Sequence, residues 1–511
     1  MPKIEVNEKL FFSLLGGTLD AEALEAALPT AKAELDGWDR TGSPETSSIK
    51  IELNDTNRPD LWSTAGLARQ LKTHREQAPR KYSFFVPLGE TKQCPYAVLV
   101  DKRVRNVRPF ISGFVARGVP ITEPMLKDLI QTQEKLTWNY GRKRKSMSIG
   151  LYRPSIITWP VIYRGADPDK ESFVPLQETR ELTLRQILAE HPKGKEYASI
   201  LESEPIHPLL VDSRDRVLSY PPIINSADLG AVQVGDEDLF IEVTGTDYPT
   251  VALTANILSC DLSDMGFAIE PIRIEYPYDT PFGREVVAPT YFQRETRADL
   301  AEVNKLLGSS LSLEEAARAL LSMGARARTE GQTLVVLPAE YRNDYLHPVD
   351  LIEDVLIGVG MEHFKPERPK DFTIGRLSPI EILSRSAKLT MVGMGFQEMI
   401  YNYLGSGKDY IVKMGIEPGD LVRILNPMSE NFEYLRNSPI PGLLGTEAVS
   451  VKAPYPHRTF EIGKVAIKAP EENYGIATRQ YLGFVSSHAQ ADYNECASYV
   501  STLMYYLGKE Y

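Results

Sequence analysis

The segment Pro348-Val349-Asp350-Leu351-Ile352-Glu353-Asp354-Val355-Leu356 reads as a two-faced helix. The proline is preset for a first helical turn, and Asp350, Glu353 and Asp354 fall at i, i+3 and i+4, hence on one face. Leu351, Ile352, Val355 and Leu356 take the other, so one side must enter a core while the other must have its charge offset. Asp344, just upstream in Tyr341-Arg342-Asn343-Asp344, is placed to fold over the helix start. Four gathered carboxylates repel one another unless a cation intervenes, and oxygen-only ligation suits a hard ion such as magnesium. Acidic residues in a first turn also complement the helix dipole without any metal, so the pattern leaves both readings open.

The rest of the chain is globular in composition. Its 511 residues, 42% hydrophobic and 25% charged, suffice for several cores and predict three or four domains. No apolar run reaches the roughly 18 to 20 residues of a membrane span, and Met1-Pro2-Lys3-Ile4-Glu5 has no apolar signal core, so a cytoplasmic location is expected. Cys94, Cys260 and Cys496 are odd in number and far apart, in no spacing that frames disulfides or zinc, which predicts reduced, inert thiols. A net charge of -12 argues against a freestanding nucleic-acid binder. The one dense basic run, Arg142-Lys143-Arg144-Lys145, follows an amphipathic stretch from Leu126 to Trp138 and reads either as a phosphate contact or as a solvated loop.

The pattern predicts an α+β, multidomain chain. Residues 1–85 form a small α/β unit, with a helix from Ala21 to Leu28, a strand from Ile49 to Leu53, the turn Asn54-Asp55-Thr56-Asn57-Arg58-Pro59, and a helix from Asp60 to Leu71. Residues 86–275 mix strands such as Ala97 to Val100 and Leu239 to Val243 with a helix near Leu126 to Leu136, and Tyr276 to Pro281 marks a boundary. Residues 276–368 hold a capping box, Ser312-Leu313-Glu314-Glu315, a strand at Leu334 to Leu337 and the acidic helix. Residues 369–511 open on a helix capped by Ser378 and continue through strands near Val422, Phe460 and Tyr481 to a helix from Tyr499 to Leu507.

Four stretches, in order, resemble the β subunit of phenylalanyl-tRNA synthetases of archaeal or eukaryotic type. Asn57-Arg58-Pro59-Asp60 with Gly66-Leu67-Ala68-Arg69 is similar to the N-terminal, B1-like signature. Gln133-Glu134-Lys135-Leu136, Gly141-Arg142, Ser219-Tyr220-Pro221-Pro222-Ile223-Ile224-Asn225 and Val243-Thr244-Gly245-Thr246-Asp247 look like the B3/B4 editing module. Arg342, Asp344, Asp350, Glu353 and Asp354 resemble the B5 domain, although Val359-Gly360-Met361 stands where the family usually reads Tyr-Gly-Tyr. Asn426-Pro427-Met428-Ser429, Leu435-Arg436 and Phe460-Glu461-Ile462-Gly463 resemble the class II synthetase-like B6/B7 core.

The resemblance implies a subunit of an α2β2 enzyme that uses ATP to join phenylalanine to its tRNA. The last unit shows no constellation for ATP, Arg436 being a lone arginine, and the resemblance implies that activation lies on the α subunit. It implies that Asp344, Asp350, Glu353 and Asp354 bind magnesium near the α subunit. It also implies that the B3/B4 module hydrolyses tyrosine wrongly attached to the phenylalanine tRNA. An apolar pocket rejects an added hydroxyl only roughly a hundredfold, whereas a polar second site can select for it. Ser219, Asn225, Glu242, Thr244 and Asp247 are the expected lining, with Glu242 accepting a bond from the tyrosine hydroxyl; turn and strand chemistry explains Asn225, Asp247 and Thr244 equally well. Arg153-Pro154-Ser155 replaces an aspartate common in this branch. A freestanding hydrolase of mischarged tRNA and a non-enzymatic scaffold are the alternatives. The chain ends at Tyr511 where the family continues through further strands, which implies a truncated or short member.

Overall fold

The structure is a computed structural model that describes every residue except Met1, Thr41, Asp55, Thr56, Thr91 and Tyr511, so the expected cap residues Asp55 and Thr56 lie outside the described residues. It divides into two compact units, residues 1–367 and 368–511.

The first unit begins with a three-stranded antiparallel sheet in the order Lys3–Asn7, Ser48–Leu53, Ala33–Asp39. Ile49, Ile51 and Leu53 alternate into the core beside Ile4 and Val6, which is why this short segment is a strand. The helix expected from Asp60 starts later. Pro59–Leu61 is a single 3-10 turn, and the α-helix runs Thr64–Glu76, because the Ser63 hydroxyl accepts from the Gly66 amide at 2.9 Å and makes the better cap. A Cβ on Gly66 would lie 1.8 Å from the Asp60 carbonyl oxygen, so only glycine allows the turn and the helix to pack this closely.

The centre is a ten-stranded mixed sheet in the order 224–225, 217–220, 207–211, 161–166, 97–100, 268–275, 110–117, 238–245, 147–152, with Glu285–Ala288 paired to the far half of Ala268–Glu275. The segment 276–281, expected as a domain boundary, therefore lies between two paired strands of one sheet. The helix Tyr248–Asp264 has nearly every position buried except at its ends. One continuous apolar core reaches from Ile4 to Tyr341.

Residues 296–359 add an antiparallel sheet ordered Thr296–Asp299, Thr333–Leu337, Arg326–Glu330, packed by the helices Leu313–Ser322 and Pro348–Val359. The Ser312–Glu315 capping box forms as the sequence predicts. Leu351, Ile352 and Val355 enter its core with Val303, Ala316, Leu320 and Leu334.

In the second unit, Gln397–Glu398 pairs parallel to His457–Lys468, which pairs antiparallel to Ile476–Ser487. The helices Pro379–Gly393 and Tyr493–Tyr506 cover it around Met391, Phe396 and Phe460. The core is small, and Ile400, Leu425 and Met428 stand 86%, 97% and 99% exposed. Among the described residues no helix is long and apolar enough to cross a membrane.

Candidate functional site

The large sheet curls until its ends meet. Tyr152, on the strand Met147–Tyr152 at one edge, donates its hydroxyl to Ser219 Oγ at 2.7 Å, although Ser219 lies on Val217–Tyr220, beside the opposite edge. The same hydroxyl lies 3.0 Å from Glu242 Oε1. Between these strands and the helix Glu123–Lys135 is a cavity of about 330 Å3, lined by apolar side chains such as Leu126, Leu129 and Ile223 and by polar ones that include Ser219, Asn225, Glu242, Gln133, Ser148, Arg144 and Lys193.

Register explains the polar set. Ser219 and Asn225 are cross-strand partners, and Glu242 sits opposite both Gly113 and Gly150, the two positions where its neighbouring strands carry no side chain. A Cβ at Gly150 would lie 2.1 Å from the Tyr152 hydroxyl and 2.6 Å from Glu242 Oε1, so glycine there makes room for the pair. Glu242 is 2% exposed, and its second oxygen is buried with no partner. Burial pushes its carboxyl up to about 7, against the Tyr152 hydrogen bond and the Arg108 charge, which lower it. Asn225 donates its amide to the Gly230 carbonyl at 3.2 Å.

Two of the five expected lining residues belong elsewhere. Thr244 is fully buried and does not line the cavity; its hydroxyl lies 3.1 Å from that of Ser148, which does, and its hydroxyl and carbonyl accept from Arg108 at 3.0 and 2.7 Å. Asp247 is exposed and caps the helix Tyr248–Asp264 by accepting from Thr250 N at 3.0 Å, its turn-forming alternative. Sequence reasoning missed Tyr152, Gly150 and Arg108. The one signal was Gly150 inside the strand pattern Met147-Ser148-Ile149-Gly150-Leu151-Tyr152, since glycine in a strand marks a close approach.

The acidic segment forms a different kind of centre. Arg342, 1% exposed, donates Nε and Nη2 to Asp344 at 3.0 and 2.5 Å and Nη1 to Asp354 at 2.5 Å. Tyr345 also donates to Asp354. Burial alone would raise the Asp344 carboxyl, but the Arg342 charge and hydrogen bonds outweigh it and hold the group below the usual carboxylate range. Asp350 accepts the backbone amides of Leu346 and His347 at 2.7 and 2.6 Å, closing the helix cap, and Glu353 pairs with Lys32 at 3.0 Å. Among the described residues no group of three or more His, Cys, Asp or Glu is arranged to hold a metal ion. The four carboxylates as folded thus do not fit a shared magnesium sphere, because a guanidinium already stands between two of them and the other two face separate partners.

This centre joins the two outer signatures of the first unit. Arg58 grips Asp60 through two bonds of 2.8 Å and feels the charges of Arg342 and Asp344. Arg69 binds Asp261 and Asp264 at 3.0 and 2.7 Å under the Tyr341 ring, 4.2 Å away. In the second unit, Arg436 donates Nη1 to Glu461 at 2.8 Å and Nε to the Lys464 carbonyl at 3.0 Å, leaves Nη2 without a partner, and is 3% exposed.

Two family profiles match the chain: the tRNA synthetase B5 domain over residues 296–361 and the phenylalanyl tRNA synthetase beta chain CLM domain over residues 367–510. The phenylalanine–tRNA ligase beta subunit of Borrelia recurrentis is 46% identical over 508 residues, spanning 99% of this chain and 89% of the relative. The chain belongs to the phenylalanine–tRNA ligase β-subunit family. Another relative in it, from Treponema pallidum subsp. pallidum, is 45% identical over 547 residues, covering 100% of this chain and 91% of its own length. An N-terminal fragment of the phenylalanyl-tRNA synthetase β-subunit from Pyrococcus horikoshii superposes with a TM-score of 0.64 at 32% identity, covering 70% of this chain and all of the fragment. The expected archaeal or eukaryotic type is not supported: the Borrelia and Treponema relatives are bacterial.

Proposed function

We propose that the chain is the non-activating β subunit of an ATP-dependent phenylalanine–tRNA ligase of class II, assembled with an α subunit as α2β2, and that its 330 Å3 cavity hydrolyses tyrosyl-tRNA made in error. The observation that carries the hydrolase reading is Glu242: a buried carboxyl with one unpartnered oxygen, in a cavity lined by both apolar and polar side chains. A phenolic hydroxyl entering there meets a partner, whereas a phenylalanine side chain leaves that oxygen unpaired, and an unpaired buried polar group is costly. Ser219 accepts from Tyr152 and so retains its own proton to donate, and Asn225, with its amide on Gly230, keeps a carbonyl oxygen to orient water. Water adds to the ester carbonyl carbon, the bond to the ribose oxygen breaks, tyrosine leaves as the free acid, and the proton passes to the ribose hydroxyl. The exposed apolar Ile400, Leu425 and Met428 support a partner over the second unit, and the burial of Arg436 supports activation elsewhere.

The test is release of tyrosine from tyrosyl-tRNA by the purified chain, alone and with the α chain. Wild type is expected to hydrolyse it at least tenfold faster than phenylalanyl-tRNA, a preference lost in Glu242→Ala. Hydrolysis without any tetramer would favour the freestanding hydrolase, and assembly without hydrolysis the scaffold.

Magnesium enters this reading only for the assembled enzyme, where Asp350 and Glu353 would offer surface oxygens. Calorimetric titration of magnesium into the isolated chain is expected to show no saturable binding. Saturable binding that Asp350→Asn removes would restore the four-carboxylate site.

A further inference from the structure

One hydroxyl proton between Ser219 and Glu242 has two claimants. The Tyr152 hydroxyl lies 2.7 Å from Ser219 Oγ and 3.0 Å from Glu242 Oε1, and it can donate fully to only one of them at a time. Ser219 and Glu242 line the cavity, whereas Tyr152 does not. Its ring is buried out of contact with solvent, against Phe240 at 5.7 Å.

Which acceptor wins depends on Glu242. Ionised, the carboxylate only accepts and makes the stronger, charge-assisted bond, so Tyr152 donates to Oε1 and the Ser219 hydroxyl donates to the phenol oxygen. Neutral, Glu242 donates from Oε1 to Tyr152, Tyr152 donates to Ser219, and the Ser219 hydrogen is free to point into the cavity. In both cases Oε2, buried without a partner, stays an acceptor.

The surroundings keep both states within reach. Gly113 and Gly150, opposite Glu242 on its two neighbouring strands, bring no side chain. Arg108, just before the strand Phe110–Arg117, and the Tyr152 bond favour the carboxylate, and the phenol of Tyr163, on the strand Val161–Ala166, feels its charge. Among the described residues that line the cavity, Arg144 and Lys193 are the other charged groups and Glu242 is the one acid. Burial outweighs the favourable charges and sets the balance at about 7, so both forms are populated near neutral pH.

We infer that Tyr152 is a positioning residue that couples Glu242 to Ser219: with Glu242 neutral, the hydrogen-bond chain turns the Ser219 proton toward the ester, and with Glu242 ionised the chain reverses and turns it away. The inference rests on the hydrolase reading for what the Ser219 proton meets, and not for the reversal itself.

Single-turnover hydrolysis of tyrosyl-tRNA by the full chain, at about pH 6 and about pH 8 and corrected for uncatalysed ester loss, tests it. The saturating rate of wild type should fall roughly 2- to 10-fold between them, the worth of one neutral hydrogen bond, with the half-saturating concentration unchanged. Tyr152→Phe and Ser219→Ala should each be slow at both. A fall like that of wild type in either variant would overturn the inference, as would a fall carried by affinity.

Urea unfolding against pH reads the same chain without substrate. The Tyr152 bond favours the ionised carboxyl, so in Tyr152→Phe the pH at which stability stops falling should rise by roughly half to one unit. In Ser219→Ala the neutral form loses its outlet, and that pH should drop by a similar amount. The two readings fail separately. Opposite shifts with no tyrosyl-tRNA hydrolysis by wild type sink only the hydrolase; hydrolysis without the shifts sinks only the chain through Tyr152.

Discussion

Arg342→Ala is expected to destabilise the first unit by about 3–5 kcal/mol, because it strands two buried carboxylates, Asp344 and Asp354, that share this one guanidinium. Urea unfolding followed by tryptophan fluorescence reads the effect cleanly, since Trp38, Trp62, Trp138 and Trp159 all lie in residues 1–367. Neutralising the carboxylates with the arginine, in Arg342→Met with Asp344→Asn and Asp354→Asn, should recover much of the loss, since breaking one side of a buried pair costs more than removing both. An Arg342→Ala chain that unfolds at the wild-type urea concentration would show that the carboxylates do not depend on it.

The second large effect is in the pH dependence of stability. Glu242 has a folded-state value raised to about 7 by burial. Below the ordinary glutamate range both folded and unfolded chains hold the proton, and its contribution is fully present. As pH rises toward 7 the unfolded chain ionises first, stability falls, and above 7 the loss is complete at about 3 kcal/mol. Glu242→Gln has no such slope, so it should match wild type near pH 4.5 and exceed it by about 3 kcal/mol at pH 8. Parallel profiles for the two proteins would mean that Glu242 is not held in its neutral form.

Local pattern carried the sequence reading furthest. The helix Pro348–Val359, its apolar face and the Ser312–Glu315 box depend on residues within a few positions of each other, and all are written in the chain as they fold. What the acids of that helix face was hidden. Lys32 reaches Glu353 from the turn before the strand Ala33–Asp39, and Arg342, read only as part of a signature, supplies a countercharge to Asp344 and Asp354. The cavity was half legible: Ser219, Asn225 and Glu242 come together, but the Tyr152 contact exists only because the sheet curls, a global property that no window of sequence records. Thr244 was misplaced for the opposite reason. It lies two residues from Glu242 on the same strand, and only its contacts with Arg108 and Ser148 show that its hydroxyl is already engaged.

The arginine hub also sets a timetable. Arg69 belongs to the first helix after the N-terminal sheet, yet its carboxylate partners Asp261 and Asp264 lie 192 and 195 residues further on. At roughly 5–20 residues per second of synthesis, the ribosome delivers them about 10 to 40 seconds later. Through that interval the N-terminal domain waits with its guanidinium unpaired and the apolar face that will meet Tyr341 uncovered, a nascent-chain state in which chaperone capture and aggregation compete with folding.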